Sequence, residues 1–285
     1  AVQFAPSVSV RPITSPEEAL FIPGTLDVLN LGSVPASLPI GQPGAEGGKV
    51  AIEYIRTAVD LALSQRVDAI TTAPINKESI HRAGFAYPGH TELLAEYTGA
   101  ENVALMLAGD VLRVVLVTTH VPLDAVKPLI TRERVATILR LTHRWLIDHV
   151  TESPRIAVTG FNPHCSDGGI FGEEEKTAIV PAIDTVRGTG IEAVGPFSAD
   201  ALFSRLELGQ YDAVVAMYHD QGMIPVKMAN KGAAVNVTLG LPVIRTSVDH
   251  GTAFDIAGKG TASPDSLKRA LRMAAQLAKP TPAGS

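Results

Sequence analysis

Three histidines stand at the ends of apolar, β-branched runs that lie far apart in the chain. They are His120 in VVLVTTHVPL, His164 in IAVTGFNPHCSDGG and His219 in AVVAMYHDQG. Neutral imidazole is a common ligand for borderline divalent metals, with Zn, Co, Mn or Fe all admissible and Mg also where carboxylates complete the site. Each histidine is followed by Pro, polar or Gly residues, where α/β folds open their strands into ligand-binding loops. The spacings suit neither a zinc finger nor an HExxH helix, so any metal site must be assembled by tertiary structure, within one chain or across subunits. Each histidine taken alone also reads as a hydrogen-bonded structural residue.

A second group of residues suits an anion. Lys227, Asn236 and Arg245 sit in apolar surroundings within residues 217–247. Unpaired cations are costly there, and two of them with an amide suggest a small, multiply charged ligand. The alternative is an internal salt bridge to Asp220 or Asp249. In PGHTELLAEYTG (88–99), His90, Thr91 and the free N–H groups of a helix start can hold a phosphate, or Thr91 simply caps the helix. Asn76 and Lys77 in TTAPINKESI read better as a helix cap and a solvated lysine than as ligand contacts. The acids of GGIFGEEEKTAIV (168–180) read as partners of a helix N-terminus, Cys165 as a packing residue, and His143 and His149 as solvated. Asp220 is placed to orient His219. DHGTAFDIAGKGTASP (249–264) is a Gly-rich loop without the GxGxxG fingerprint; it cradles an adenosine or pyrophosphate, or is only structural.

These residues need a scaffold. Residues 1–48 read as irregular, rich in Pro, Gly and Ser. Residues 50–65 have apolar positions at helical spacing, and 67–74 read as a buried strand ending at Pro74. Residues 93–99 are helical, and 103–109 and 113–119 are strands joined by a turn. The longest predicted helix covers 131–150, with Thr131 as N-cap. Strands and helices then alternate through 155–160, 173–187, 200 onward, 213–218, 234–240 and 243–248. A closing helix runs over 263–278, with Ser263 as N-cap and Pro264 in its first turn, followed by a frayed KPTPAGS tail. This alternation predicts an α/β fold with a largely parallel sheet and a substrate cleft between two domains.

Bulk properties narrow the function classes. The 285 residues are 46% hydrophobic and 19% charged, enough for a sizeable core, and the net charge is −5. There is no basic stripe for nucleic acid, no apolar run long enough for a bilayer and no signal peptide at the start. A single Cys165 rules out an internal disulfide framework and points to a reducing, cytoplasmic setting.

TAPINKE, PGHTE, TTHVPL, GFNPH…GG.FG.EE, YDAVVAMYHDQG and NVTLGLPVIRTSVDHGTAFDIAG, in this order, resemble the 4-hydroxythreonine-4-phosphate dehydrogenase family from about Pro43 onward. The resemblance implies an isocitrate/isopropylmalate-dehydrogenase-like fold of two α/β domains. Residues 1–89 plus 240–285 would form the cofactor side, and 90–239 would carry metal, substrate and dimer contacts. It implies a homodimer with one divalent metal on His120, His164 and His219 shared between subunits. His90, Thr91, Lys227, Asn236 and Arg245 would contact a phosphorylated substrate. Gly251, Asp255 and Gly258 fall in a stretch similar to the adenosine-side loop of β-decarboxylating dehydrogenases.

The implied chemistry is oxidation of 4-phosphohydroxy-L-threonine by NAD or NADP, then decarboxylation, in vitamin B6 synthesis. Lys227 would move a proton and Asp220 would support catalysis. Family members open on a Gly/Pro-rich strand and turn that residues 1–48 lack, so part of the first domain is expected to precede Ala1. Cys165-Ser166-Asp167 replaces the usual residues after NPH, and MIPVK (223–227) looks closer to relatives acting on D-threonate or D-erythronate 4-phosphate. That makes a four-carbon sugar-acid phosphate dehydrogenase the alternative, with a non-catalytic metal- or anion-binding protein as the rival of another class.

Overall fold

The computed structural model describes residues 7–279 except 33, 36 and 206–208; beyond Lys279, the expected frayed tail lies outside the described residues. The chain begins with β1 (Ser9–Ile13) and β2 (Thr25–Leu29), a parallel pair in register Ser9↔Thr25. The expectation that residues 1–48 are irregular is thus corrected. Pro12 inside β1 removes a ladder donor and hides the strand from pattern reading. Arg11 ties the pair together through Asp27 at 2.6 Å.

Helix α1 (Ala45–Leu63) starts earlier than its periodicity indicates and, at 19 residues, is longer than the 18-residue α4 (Arg132–His149). Its first turn contains Gly47 and Gly48, poor helix formers. Gly48 is there for packing: a Cβ would lie 2.1 Å from the Ser79 carbonyl oxygen. Ser79 belongs to α2 (Lys77–Arg82), which follows β3 (Ile70–Thr72). Then come α3 (His90–Thr98), β4 (Ala104–Ala108) and β5 (Arg113–Leu116). Beyond α4 lie β6 (Arg155–Thr159), a π turn (Glu175–Ile179) running into α5 (Val180–Arg187), and β7 (Glu192–Phe197). The chain continues through α6 (Ala199–Arg205), β8 (Ala213–Ala216), α7 (His219–Ala229), β9 (Val235–Leu239), β10 (Arg245–Ser247) and α8 (Asp265–Leu277). Pro264, not Ser263, is the N-cap of α8; the Ser263 hydroxyl still accepts the Asp265 N–H at 3.3 Å.

The eight strands β3 to β10 form one sheet in the order β3-β10-β9-β4-β5-β8-β6-β7. β3 and β10 are parallel, and β5, β8, β6 and β7 are a second parallel block. β9 and β4 join the blocks through antiparallel pairings. β4 and β8 are buried at every position, as strands covered on both faces must be. Side-chain alternation sends Met106, Val115, Val215 and Val237 to a core under α4 and α5, and Leu105, Leu107, Val114 and Val214 to a core under α7. A third core joins Ile52, Ile55 and Val59 of α1 to Ile80, Leu93 and Leu94. α3 therefore packs with α1 and α2.

Candidate active site

The floor of the site is a polar patch on one sheet face. Cross-strand register sets Ser247 beside Thr72 and beside Asn236, and the two-residue period puts Arg245 and Thr238 on the same face. Arg245 is only 3% exposed. Its guanidinium donates to Thr238 Oγ1 at 3.0 Å and to Thr72 Oγ1 at 2.7 Å; Thr72 donates on to Ser247 Oγ at 3.0 Å. Burial lowers the pKa of Arg245 to about 10, with Glu92 opposing, so it stays cationic at neutral pH. No carboxylate pairs with it among the described residues, and its Nε and the Asn236 Oδ1 are buried without partners. A buried cation and two unmet polar atoms are expensive unless a ligand completes them.

One wall is the start of α3. Its N-cap is Gly89 with no side-chain cap, so Thr91 sits in the first turn and does not cap the helix. His90 is held neutral: burial, then Arg245, lowers its pKa to about 3. The β3–α2 connection contributes Pro74, Ile75 and Lys77, and residues beyond β5 and β10 add Thr119, His120, His250 and Gly251. These groups enclose a cavity of about 230 Å³ over Arg245 and Asn236.

The three histidines leave the carboxyl ends of β5, β8 and β6, which are neighbours in the sheet. His120 and His219 come from adjacent strands, and their ring centroids are 5.6 Å apart. His219 Nδ1 donates to Asp220 Oδ1 at 2.7 Å, so Nε2 is the ring nitrogen that the hydrogen bond leaves for a ligand. Burial, then Lys77 and His219, keeps the His120 pKa low and its ring neutral. Two imidazoles at this separation, one oriented by a carboxylate, fit a divalent metal.

His164 is not brought to this pair. It lies in residues 164–168, all with positive φ, and no group of three His, Cys, Asp or Glu side chains in the described chain is disposed to hold a metal. Glu175 holds this loop. It accepts the Phe161 and Asn162 N–H groups at 2.8 and 2.7 Å, the Asn162 amide at 2.8 Å, and the Ser166 hydroxyl. Burial raises the Glu175 pKa, but hydrogen bonds from Ser166 and Asn162 bring it below the ordinary value. Glu174 takes Asn162 at 2.8 Å and Lys127 at 2.6 Å. Of the acids read as helix partners, Glu174 and Glu175 are loop clamps, because the chain folds back on itself between Gly160 and the π turn, while Glu173 pairs with Lys176. The Cys165 thiol is pushed up by burial and by Glu175, which disfavours the thiolate.

Other residues follow the expectation, its alternative or neither: Asn76 is the expected cap, and Lys227 makes one of the two alternative salt bridges. Lys227 is half-exposed and pairs with Asp249 at 3.0 Å, so it is not a buried cation. Asn76 caps α2. His149 packs on the Trp145 ring at 5.2 Å, and His143 Nδ1 is buried, so neither is freely solvated. Gly251 lies on the cavity rim, while Asp255 and Gly258 are exposed on the loop beyond it. Beside that loop a second cavity of about 310 Å³ is lined by Leu38, Ile40, Gly41, Thr252 and Phe254, and it shares Pro74 and Ile75 with the first. Thr72, Thr238, Ser247 and Glu92 were not singled out as site residues from the sequence. Alternation around Asn236 and Arg245 carried the signal for the first three.

Comparison with known proteins adds family and fold. The family model described as pyridoxal phosphate biosynthetic protein PdxA matches residues 1–274. A 4-hydroxythreonine-4-phosphate dehydrogenase of Geobacter metallireducens is 52% identical over 257 residues, 90% of this chain and 76% of that one. A D-threonate 4-phosphate dehydrogenase of Cupriavidus necator is 50% identical over 273 residues, covering 95% and 82%. The crystal structure of 4-hydroxythreonine-4-phosphate dehydrogenase from Klebsiella pneumoniae superposes with a TM-score of 0.91 at 43% identity, covering 97% of this chain and 84% of that one.

Proposed function

The chain belongs to the pyridoxal phosphate biosynthetic protein PdxA family, and from that premise we propose that it oxidises 4-phosphohydroxy-L-threonine with NAD or NADP and releases the carboxylate as CO₂. The observation that carries this reading is Arg245: a buried, carboxylate-free cation beside His90, Thr91 and Asn236, suited to a phosphate ester. His120 and His219 would hold a divalent ion (Zn, Co, Mn or Mg), with Asp220 fixing the His219 ring. When bound, that ion supplies the Lewis acidity that eases ionisation of an alcohol. Lys227 is the candidate to return a proton to the carbon that loses CO₂, with Asp249 holding its ammonium at 3.0 Å.

The apolar cavity beside residues 249–260 supports a place for one ring of the dinucleotide, adjoining the substrate through Pro74 and Ile75, with Gly251, Asp255 and Gly258 on the loop that borders it. The third imidazole, His164, would come from a second copy of the chain. Exposed apolar residues follow each histidine and support a covered face: Leu123 after His120, Ile170 and Phe171 after His164, Ile224 and Met228 after His219. The same shared-site reading divides the chain into 1–89 plus 240–285 and 90–239, with α3 packed against the first part.

A second reading is oxidation of D-threonate 4-phosphate. The Cupriavidus relative supports it, and so does a cavity whose only lining carboxylate, available to pair with a substrate ammonium, is Glu92. Purified protein with a divalent metal, NAD or NADP and each substrate in turn tests both, read by reduced-nicotinamide absorbance. A higher kcat/KM for the amino substrate is the expected result. A much higher value for D-threonate 4-phosphate selects the second reading, and oxidation of neither removes both.

A further inference from the structure

Sequence reading set Lys77 aside as a solvated lysine next to a helix cap. In the folded chain it lines the 230 Å³ cavity with His90, Thr91, His120 and Arg245. Its backbone is fixed: Asn76 Oδ1 accepts the Ser79 N–H at 2.7 Å and the Ser79 hydroxyl at 2.9 Å, which sets the turn that carries Lys77. Its ammonium is unused. Lys127, Lys176 and Lys227 each pair with a carboxylate, whereas Lys77 makes no ion pair and no side-chain hydrogen bond among the described residues.

The cavity has two cationic poles. Arg245 is buried in its floor, and Lys77, exposed at the start of α2, lines its wall together with His120. Glu92 is the only carboxylate in the lining, so the site as a whole is positive. A ligand with one anionic group satisfies one pole and leaves the other bare. Both substrates considered above carry a phosphate ester at one end of a four-carbon chain and a carboxylate at the other.

We propose that Lys77 is a substrate-binding residue that takes the carboxylate, while Arg245 takes the phosphate. This rests on the dehydrogenase reading of the same cavity, and it holds for either of the two acids. Lys77 thereby fixes which way round the substrate lies, with the carboxylate end beside His120 and His219. A single point charge suits this task, since the carboxylate is the group that leaves and needs no rigid bidentate clamp.

The test compares two probes by calorimetry on metal-loaded protein: D-threonate 4-phosphate and the tetritol phosphate in which a hydroxymethyl group replaces the carboxylate. Wild type should prefer the acid. Lys77→Met should weaken the acid by about tenfold or more and the tetritol phosphate by no more than about twofold, the loss expected for one charged hydrogen bond. Lys77→Arg should restore most of the preference. Equal weakening of both probes, or of neither, overturns the inference, as does a wild type that binds both equally. Binding is read without turnover, so the two readings fail separately. A wild type that prefers the acid through Lys77 but reduces no NAD or NADP refutes the dehydrogenase reading alone.

Discussion

The two ends of the site are built in opposite ways. At the Arg245 end the floor is built from the paired strands β3, β10 and β9, the guanidinium is 3% exposed, and a chain of hydroxyls fixes it. At the histidine end the residues lie just beyond strand tips, His120 is exposed and His219 half-buried, and His164 sits in a left-handed run clamped by Glu174 and Glu175. Under the proposed function, the difference follows the ligand chemistry. A phosphate ester is held unchanged throughout a reaction, so its receptor can be desolvated and rigid, where charge-assisted hydrogen bonds are strongest. Groups that must ligate a metal and meet a second surface need reach and access more than burial.

Breaking the buried end should have the largest effect. Arg245→Met is expected to remove about 3–5 kcal/mol of transition-state stabilisation, roughly 10²–10⁴-fold in kcat/KM. Its melting temperature should hold or rise, because an unpaired buried cation is replaced by an apolar side chain of similar length. A large fall in melting temperature would show that the guanidinium is structural, and the contrast between the two ends would collapse.

At the exposed end the expected effect is smaller and concerns the metal. Asp220→Asn should weaken divalent-metal affinity about 10–100-fold while leaving the fold intact, since it removes the carboxylate that orients one imidazole. Metal titration of the apo-protein checks this, and unchanged affinity would show that His219 needs no orienting partner.

The mildest effect is on stability against pH. His90 has a folded pKa of about 3 against an ordinary 6.5. The unfolded chain therefore takes up a proton through pH 6.5 that the folded chain refuses until about pH 3. Stability is level above that window and falls with acidification inside it, by about 2 kcal/mol from roughly pH 8 to pH 5 for this group alone. His120, His143 and His149 are also held below the ordinary value and act in the same direction. Urea unfolding across this range should show a shallower slope for His90→Gln, and an unchanged slope would mean that His90 is not held neutral by its surroundings.

Much of this contrast was legible in the residues. The strand-end histidines, the Thr131 cap that accepts the Arg134 N–H at 3.1 Å, and the left-handed Gly99 ending α3 all express local rules. So did the oddity of an arginine in VIRTSV. What escaped is relational. Asp220 and Asp249 were both open as partners of Lys227, and the choice of Asp249 depends on where β10 is seated between β3 and β9. The role of Glu175 depends on a loop doubling back, and the β1–β2 pair on a register that no alternation announces.

The floor of the cavity also has a kinetic meaning. Thr72 and Ser247 meet there across 175 residues of chain, as do Thr71 and Thr246 on the opposite face of the same strand pair. A contact of that span closes a very large loop and is expected late in folding, after local helices and neighbouring strands have formed. Anion affinity would thus be acquired in the last steps of folding, when the chain through Ser247 has been gathered into the sheet. A ligand that recognises Arg245 then selects the finished molecule over every partly assembled one, and should protect the protein as a whole, from its first sheet strand to its last, against unfolding and proteolysis.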